Sequence, residues 1–135
     1  MRVDIKTDTE GFSEWLSATK GPIAVDTETT GLDIFSPNYQ VRLIQFSDRD
    51  TAYVLDPRKH RKEIDSVWAS KHKFILHNAP FDLLSMDRAG IVTLEKLEGR
   101  VFDTKIMAHL LDPRSKSEGG TGHSLKDLAL VWVDS

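Results

Sequence analysis

The sequence predicts one α/β domain, a mixed β-sheet flanked by helices. Three observations carry that prediction. Short, nearly all-apolar runs alternate with stretches of helical periodicity. Three of the strand-like runs follow one another with no helix between them. And 135 residues with 39% hydrophobic content suit a single core, so residues 1–135 read as one domain.

The first segment, RVDIK (2–6), alternates apolar and polar residues, which predicts a short half-buried strand with Val3 and Ile5 on one side. TDTE (7–10) has the form of a capping box ahead of Phe12, Trp15 and Leu16 at helical spacing. Asp8 and Glu10 are therefore expected to accept orphan amide protons at the positive end of a helix. Lys20-Gly21-Pro22 ends that helix. PIAV (22–25) then has the character of a central strand buried on both faces. VRLIQF (41–46) and TAYVL (51–55) follow as strands joined by the turn-forming SDRD, so the three form an antiparallel meander.

Beyond Asp56-Pro57 the pattern turns helical, with Ile64, Val67 and Trp68 on one face behind the basic run RKHRK (58–62). Two readings of that run stay open, a solvated helix face and a phosphate contact. FIL (74–76) is another buried strand. Pro80, as a first helical residue, opens a helix through about Ala89 that Gly90 ends. Asp103 caps a helix to Leu111, DPRSKSEGGTG (112–122) is a flexible loop, and Ser124 caps a last helix carrying Leu125, Leu128, Ala129 and Trp132 on one face.

Charge and composition narrow the function classes. The formal net charge of -3, from 18 Lys+Arg against 21 Asp+Glu, excludes a strongly basic coat that binds nucleic acid everywhere; such contact must be local or assisted by metal ions. The absence of cysteine excludes a disulfide framework and a thiolate metal site, and makes a reducing cytoplasm the default. No apolar run approaches the roughly 20 residues that cross a bilayer, and the polar N-terminus lacks a signal-peptide core. No membrane is therefore expected as a partner.

The chemistry concentrates in AVDTETTG (24–31). Asp26 and Glu28, at i and i+2 on a buried strand, share one face and lie about 6 to 7 Å apart. Two carboxylates so held repel unless a cation compensates them, and hard oxygen ligands suit Mg²⁺ or Mn²⁺. The alternative is a pair of solvated turn acids. LHNAPFD (76–82) runs a second strand into a helix and presents Asp82 in its first turn. If the strands of Val25 and Leu76 are parallel neighbours, the three acids converge at the carboxyl edge of the sheet, where ligands bind in α/β folds. Helix-dipole compensation for Asp82 and an N-cap role for Asn78 are the local alternatives.

Four segments in order, VDTETTGLD, HNAPFDLLSM, FDTKIMAHLLDP and GHSLKDLA, resemble the 3′-to-5′ exonuclease domain of family A, polymerase I-like DNA polymerases, and more widely the DEDD exonucleases that include ribonuclease D. The resemblance runs from about Pro22 to about Leu130. It implies a ribonuclease H-like (DnaQ-like exonuclease) fold and a proofreading-type enzyme that hydrolyses the 3′-terminal phosphodiester of single-stranded DNA. It implies two divalent cations, Mg²⁺ or Mn²⁺, about 4 Å apart. Asp26, Glu28 and Asp82 then stand as the catalytic metal ligands. Two such cations outweigh three carboxylates, so an acidic chain still attracts a strand end there. By the same resemblance Thr27, Leu32, Asn78 and Phe81 are substrate-binding positions, Leu32 as an apolar wedge against the terminal base. Loop packing for Leu32 and core packing for Phe81 remain the alternatives. The expected partner is a linked or associated polymerase domain, and the expected location is the cytoplasm, that of the host if a phage encodes the chain.

One element of the family pattern is missing. A fourth acid belongs to a third motif, Tyr-x-x-x-Asp or His-x-x-x-x-Asp, after the HSLKDLA segment, whereas Tyr39 and Tyr53 are followed four places later by Leu43 and Pro57. His123 and Asp127 fit neither spacing, although an i, i+4 pair shares a helix face. The expectation is therefore the N-terminal part of a larger phage- or bacterial-type polymerase, lacking the C-terminal part of the fold and weak in cleavage. A catalytically inactive exonuclease-like module that binds DNA or packs against a polymerase is one alternative. A ribonuclease D-like exoribonuclease, separated by contacts to the 2′-hydroxyl, is the other.

Overall fold

The computed structural model describes residues 3–31 and 33–105. In chain order the elements are β1 (Asp4–Lys6), α1 (Phe12–Ala18), β2 (Ile23–Thr29), β3 (Val41–Ser47), β4 (Thr51–Leu55), α2 (Arg61–Ala69), β5 (Phe74–Leu76), α3 (Ala79–Arg88), α4 (Leu94–Leu97) and β6 (Val101–Asp103). The strands form one mixed sheet in the order β1-β4-β3-β2-β5-β6. The helix expected from Asp103 is helical at Thr104 and Lys105. Its continuation, the 112–122 loop, the last helix and Leu32 lie outside the described residues.

The central strand is β2, and its neighbours are those that position a site. β3 pairs with it antiparallel and β4 pairs antiparallel with β3, which is the expected meander. β5 runs parallel to β2, with Ile23 opposite Phe74 and Ala24 opposite Ile75. The carboxyl ends of these two strands, and hence Asp26, Glu28 and the start of α3, fall on the same edge.

Side-chain alternation divides the sheet into two faces. Ile23, Val25, Ile44, Phe46, Tyr53, Leu55, Phe74 and Leu76 are buried in one core with Phe12, Ile64, Val67 and Trp68 of the helices. Aromatic rings link the layers edge to face: Phe46 to Trp68 at 5.4 Å between centroids, and Trp68 to Phe74 at 5.3 Å. Each such buried side chain contributes on the order of 1.5–3 kcal/mol relative to an exposed one.

Several expectations are corrected. Ile5 is 66% exposed, because β1 is a three-residue edge strand whose Lys6 is paired with core-facing Tyr53, which leaves Ile5 on the opposite face beside Ala52. The capping box does not form: Gly11, at φ 72°, is the N-cap of α1, and Asp8 Oδ1 accepts the Glu10 N–H at 3.1 Å in a turn before the helix. A residue with positive φ reorients the chain, and glycine takes it without steric cost. Both β6 and α4 were not expected; three and four residues are too short to show a period. As expected, Asp26 and Glu28 lie on the strand and not in a turn after it, because β2 runs on to Thr29 against β3.

The end of α3 follows its sequence signal closely. Gly90 has φ 73°, its N–H bonds the Asp87 carbonyl at 3.0 Å, and the Ile91 N–H bonds that of Met86 at 2.9 Å. This Schellman arrangement satisfies carbonyls that the helix end leaves open. Arg61, from the basic run, donates to the Gly90 and Ile91 carbonyls at 2.5 and 3.2 Å and to Asp65 at 3.0 Å, so one cation of that run joins α2 to α3.

Candidate active site

β2 carries Asp26 and Glu28 on one face and Thr27 on the other, as strand alternation requires. Asp26 pairs in register with Gln45 and Glu28 with Leu43, and both acids are exposed. The Asp26 carboxylate accepts the N–H of Thr27 at 3.0 Å. Thr27, on the helix-covered face, donates its hydroxyl to Asp82 Oδ1. One tripeptide therefore touches the edge acids and the first turn of α3 together.

Asp82 is only 5% exposed. Burial raises its pKa from the usual 3.8 to about 6, and the negative charges of Asp26 and Asp103 push in the same direction; the Thr27 hydroxyl opposes them. The described ion pairs, Arg58 with Asp56 and Arg61 with Asp65, involve neither Asp26, Glu28 nor Asp82. Asp26 and Asp103 thus stand as like charges beside the buried Asp82 carboxyl.

Asp103, at the end of β6, organises the backbone beneath the cluster. Its carboxylate accepts the N–H groups of Asn78 at 3.0 Å, Ala79 at 2.7 Å and Lys105 at 2.8 Å. Sequence reasoning gave Asp103 the cap of its own helix, and it also caps α3 from 24 residues away. Asn78 stands at the N-cap position of α3 in the left-handed region, φ 60° and ψ 56°, with no side-chain cap bond. Its side chain is exposed. Phe81 is half-buried, with its carbonyl accepting the Ser85 hydroxyl at 2.7 Å.

Tyr39 is a residue the sequence reading missed. Its hydroxyl lies 2.6 Å from Ser85 Oγ, and because Ser85 already donates to Phe81, Tyr39 is the donor. Ser85 is one turn from Asp82 on the buried face of α3, so the loop between β2 and β3 is fastened to the helix that carries the acid. No local sequence signal marks a pair 46 positions apart.

The donor set fits a hard divalent cation by its chemistry. Among the described residues no three His, Asp or Glu side chains are grouped as a cage that could hold a metal ion, so Asp26, Glu28 and Asp82 do not by themselves form one. Mg²⁺ seldom uses one: it is held by one or two carboxylates, waters and substrate phosphates. The Asp82 carboxyl accepts the Thr27 hydroxyl and the Asp26 carboxylate accepts the Thr27 N–H, so one residue contacts both acids.

A mixed six-stranded sheet with helices on it is the ribonuclease H-like fold that solved nucleases share. The chain belongs to the 3′-5′ exonuclease family, whose model matches residues 2–134. It is 41% identical over 134 residues to a DNA polymerase of Mycobacterium phage L5 and 38% identical over 135 residues to that of Mycobacterium phage D29. In each case the match covers 97% of this chain and 22% of the relative, so the chain spans about a fifth of the curated relatives it matches. Among solved structures, Escherichia coli RNase D superposes with a TM-score of 0.70 at 18% identity, covering 100% of this chain and 34% of that one. Brucella melitensis NrnC with bound Mg²⁺ gives 0.64 at 22% identity, covering 99% and 61%. Among the described residues no helix is long and apolar enough to cross a membrane.

Proposed function

We propose that this domain removes nucleotides from the 3′ end of single-stranded DNA, as part of a DNA polymerase that it serves as a proofreading exonuclease. Asp26, Glu28 and Asp82 hold two divalent cations, Mg²⁺ or Mn²⁺. The observation that carries this reading is Asp82: a buried carboxyl pushed up to about 6 beside Asp26, at the carboxyl edge of the sheet in a 3′-5′ exonuclease family member. Perturbed carboxyls in such places mark functional sites. When bound, the cations neutralise the phosphate and lower the pKa of the attacking water. The chain's own residues position them. Asp26 and Glu28 offer oxygens from a rigid central strand, Asp103 fixes the first turn of α3, and Thr27 holds the Asp82 carboxyl. Asn78, with its side chain exposed at the helix start, contacts the terminal nucleotide together with Thr27, Leu32 and Phe81.

The phage relatives, named DNA polymerases, favour DNA. The RNase D neighbour, described as an exoribonuclease involved in structured RNA processing, keeps an RNA substrate as the second reading. The test incubates the chain with Mn²⁺ and 5′-labelled single strands of DNA and RNA of one sequence. Stepwise shortening of DNA from its 3′ end, abolished by Asp26→Ala, Glu28→Ala or Asp82→Ala and untouched by Asp8→Ala, is the expected result. Faster shortening of RNA selects the second reading, and DNA bound but never cut, both by this chain and by one continued through the third motif, selects a non-catalytic module.

A further inference from the structure

The large hydrophobic side chain most exposed among the described residues is Phe35, at 81%. Single exposed apolar residues are common on protein surfaces and need no function by themselves. Phe35 differs in the rigidity and the place of its support. It stands in the loop of residues 30–40, between β2 and β3, a few residues after Glu28 and on the same edge of the sheet.

Hydrogen bonds close the neck of that loop: the Thr30 N–H reaches the Gln40 carbonyl at 3.0 Å, and the Gln40 N–H reaches the Thr30 hydroxyl at 3.0 Å. Within it, Asp33 Oδ1 accepts the Phe35 N–H at 3.1 Å, the Ser36 N–H bonds the Asp33 carbonyl, and the Tyr39 N–H bonds the Ser36 carbonyl, each at 3.1 Å. Tyr39 then fastens the far side to Ser85, one helical turn from Asp82. An aromatic ring held in water by consecutive turns, on a loop tied to the acid-bearing helix, is a preorganised flat surface. Just past the neck, Arg42 is exposed and joins none of the described ion pairs, which leaves a cation for a backbone phosphate.

We infer that Phe35 is a stacking platform for a base of the single strand whose 3′ end reaches the acids. The inference rests on the nucleic-acid reading of the site and adds a binding residue to it. Every base has a π face, so such a platform adds affinity without sequence preference.

The experiment measures binding of a fluorescent single-stranded DNA oligonucleotide to the 135-residue chain with Ca²⁺ as the metal. Phe35→Ala is expected to weaken binding by about tenfold, the scale of one lost base stack, and Phe35→Trp to restore it. A set of oligonucleotides with one abasic position among the last five nucleotides locates the contact. At one position wild type loses affinity and Phe35→Ala loses none further. Both variants should keep the melting temperature of wild type, since the ring is exposed. Equal binding by Phe35→Ala and wild type, or equal losses at every abasic position, overturns the inference while leaving the acid site standing. No binding by wild type overturns it together with that site.

Discussion

Asp48 and Asp82 are aspartates at the two ends of the same central sheet region, and their surroundings push them in opposite directions. Asp48 follows β3, beside the start of β2. Burial alone would raise its pKa, but its oxygens accept N–H groups of Asp50 at 2.9 Å and Thr51 at 2.8 Å, the Trp15 indole at 2.9 Å and the Thr19 hydroxyl at 3.4 Å, and the net effect is a pKa below 3.8. Asp82 has one hydroxyl and two like charges, and its pKa rises to about 6. A groove of about 1080 Å³ opens at the Asp48 end, lined by Val3, Thr19, Ala24, Asp48 and Ile75 among others. The comparison teaches that a fully hydrogen-bonded acid does structural work, whereas an under-satisfied one among like charges is what a cation relieves.

The sharpest way to break this contrast is to truncate each acid. Loss of a residue behind a metal ligand already costs 10- to 100-fold, so Asp82→Ala should lower nucleotide release by at least about 100-fold. Asp48→Ala should leave release per folded molecule unchanged. It should instead cost about 2 kcal/mol, because it strands several donors, three of them half-buried, and denaturant unfolding measures that loss. Comparable losses of release in both variants would erase the distinction.

The pH dependence should differ in sign. Asp82 has a folded-state pKa above its unfolded one, so its ionisation opposes folding of the metal-free chain as pH rises from about 4 through 6. Asp82→Asn should therefore stabilise that chain at pH 7 by about 1 kcal/mol after solvent screening, and the gain should vanish below pH 4. Asp48 has a depressed pKa, so it stabilises above the unfolded value and this is lost as pH falls through the folded one. Asp48→Asn should then destabilise at pH 7, with the difference shrinking below pH 3.8. Thermal melts from pH 3 to 8 check both.

Asp103 combines the two roles: it caps α3 and adds negative charge near Asp82. Asp103→Ala should cost about 1 kcal/mol of stability for the lost cap, and Asp103→Asn should recover most of it. Equal losses in both variants would show that the charge, and not the acceptor, holds the amides.

Much of this was legible in local sequence. The apolar runs located β2 to β5 and the turn residues of 47–50 located the hairpin, while the parallel pairing of β2 with β5 entered the sequence reading only as a condition that the structure meets. Long-range geometry was not legible. Alternation in 2–6 gave two faces, but the one occupied by Ile5 depends on register with β4. A capping box in 7–10 lost to Gly11. Asp103 reaches Asn78 and Ala79 only because β6 lies beside β5, and Tyr39 meets Ser85 only in the folded chain. For the site, the sequence singled out the acids; the support beneath them came from contacts 24 to 46 residues apart.

The most direct measurement of the central claim is an amide NMR titration of the 135-residue chain with Mn²⁺, whose unpaired electrons broaden nearby signals. Broadening should begin at Asp26, Thr27, Glu28, Asp82 and Asp103 and spare Asp48 and Asp50, and Asp82→Ala should weaken it. Broadening centred on Asp48, or none at the carboxyl edge of β2, would contradict the account.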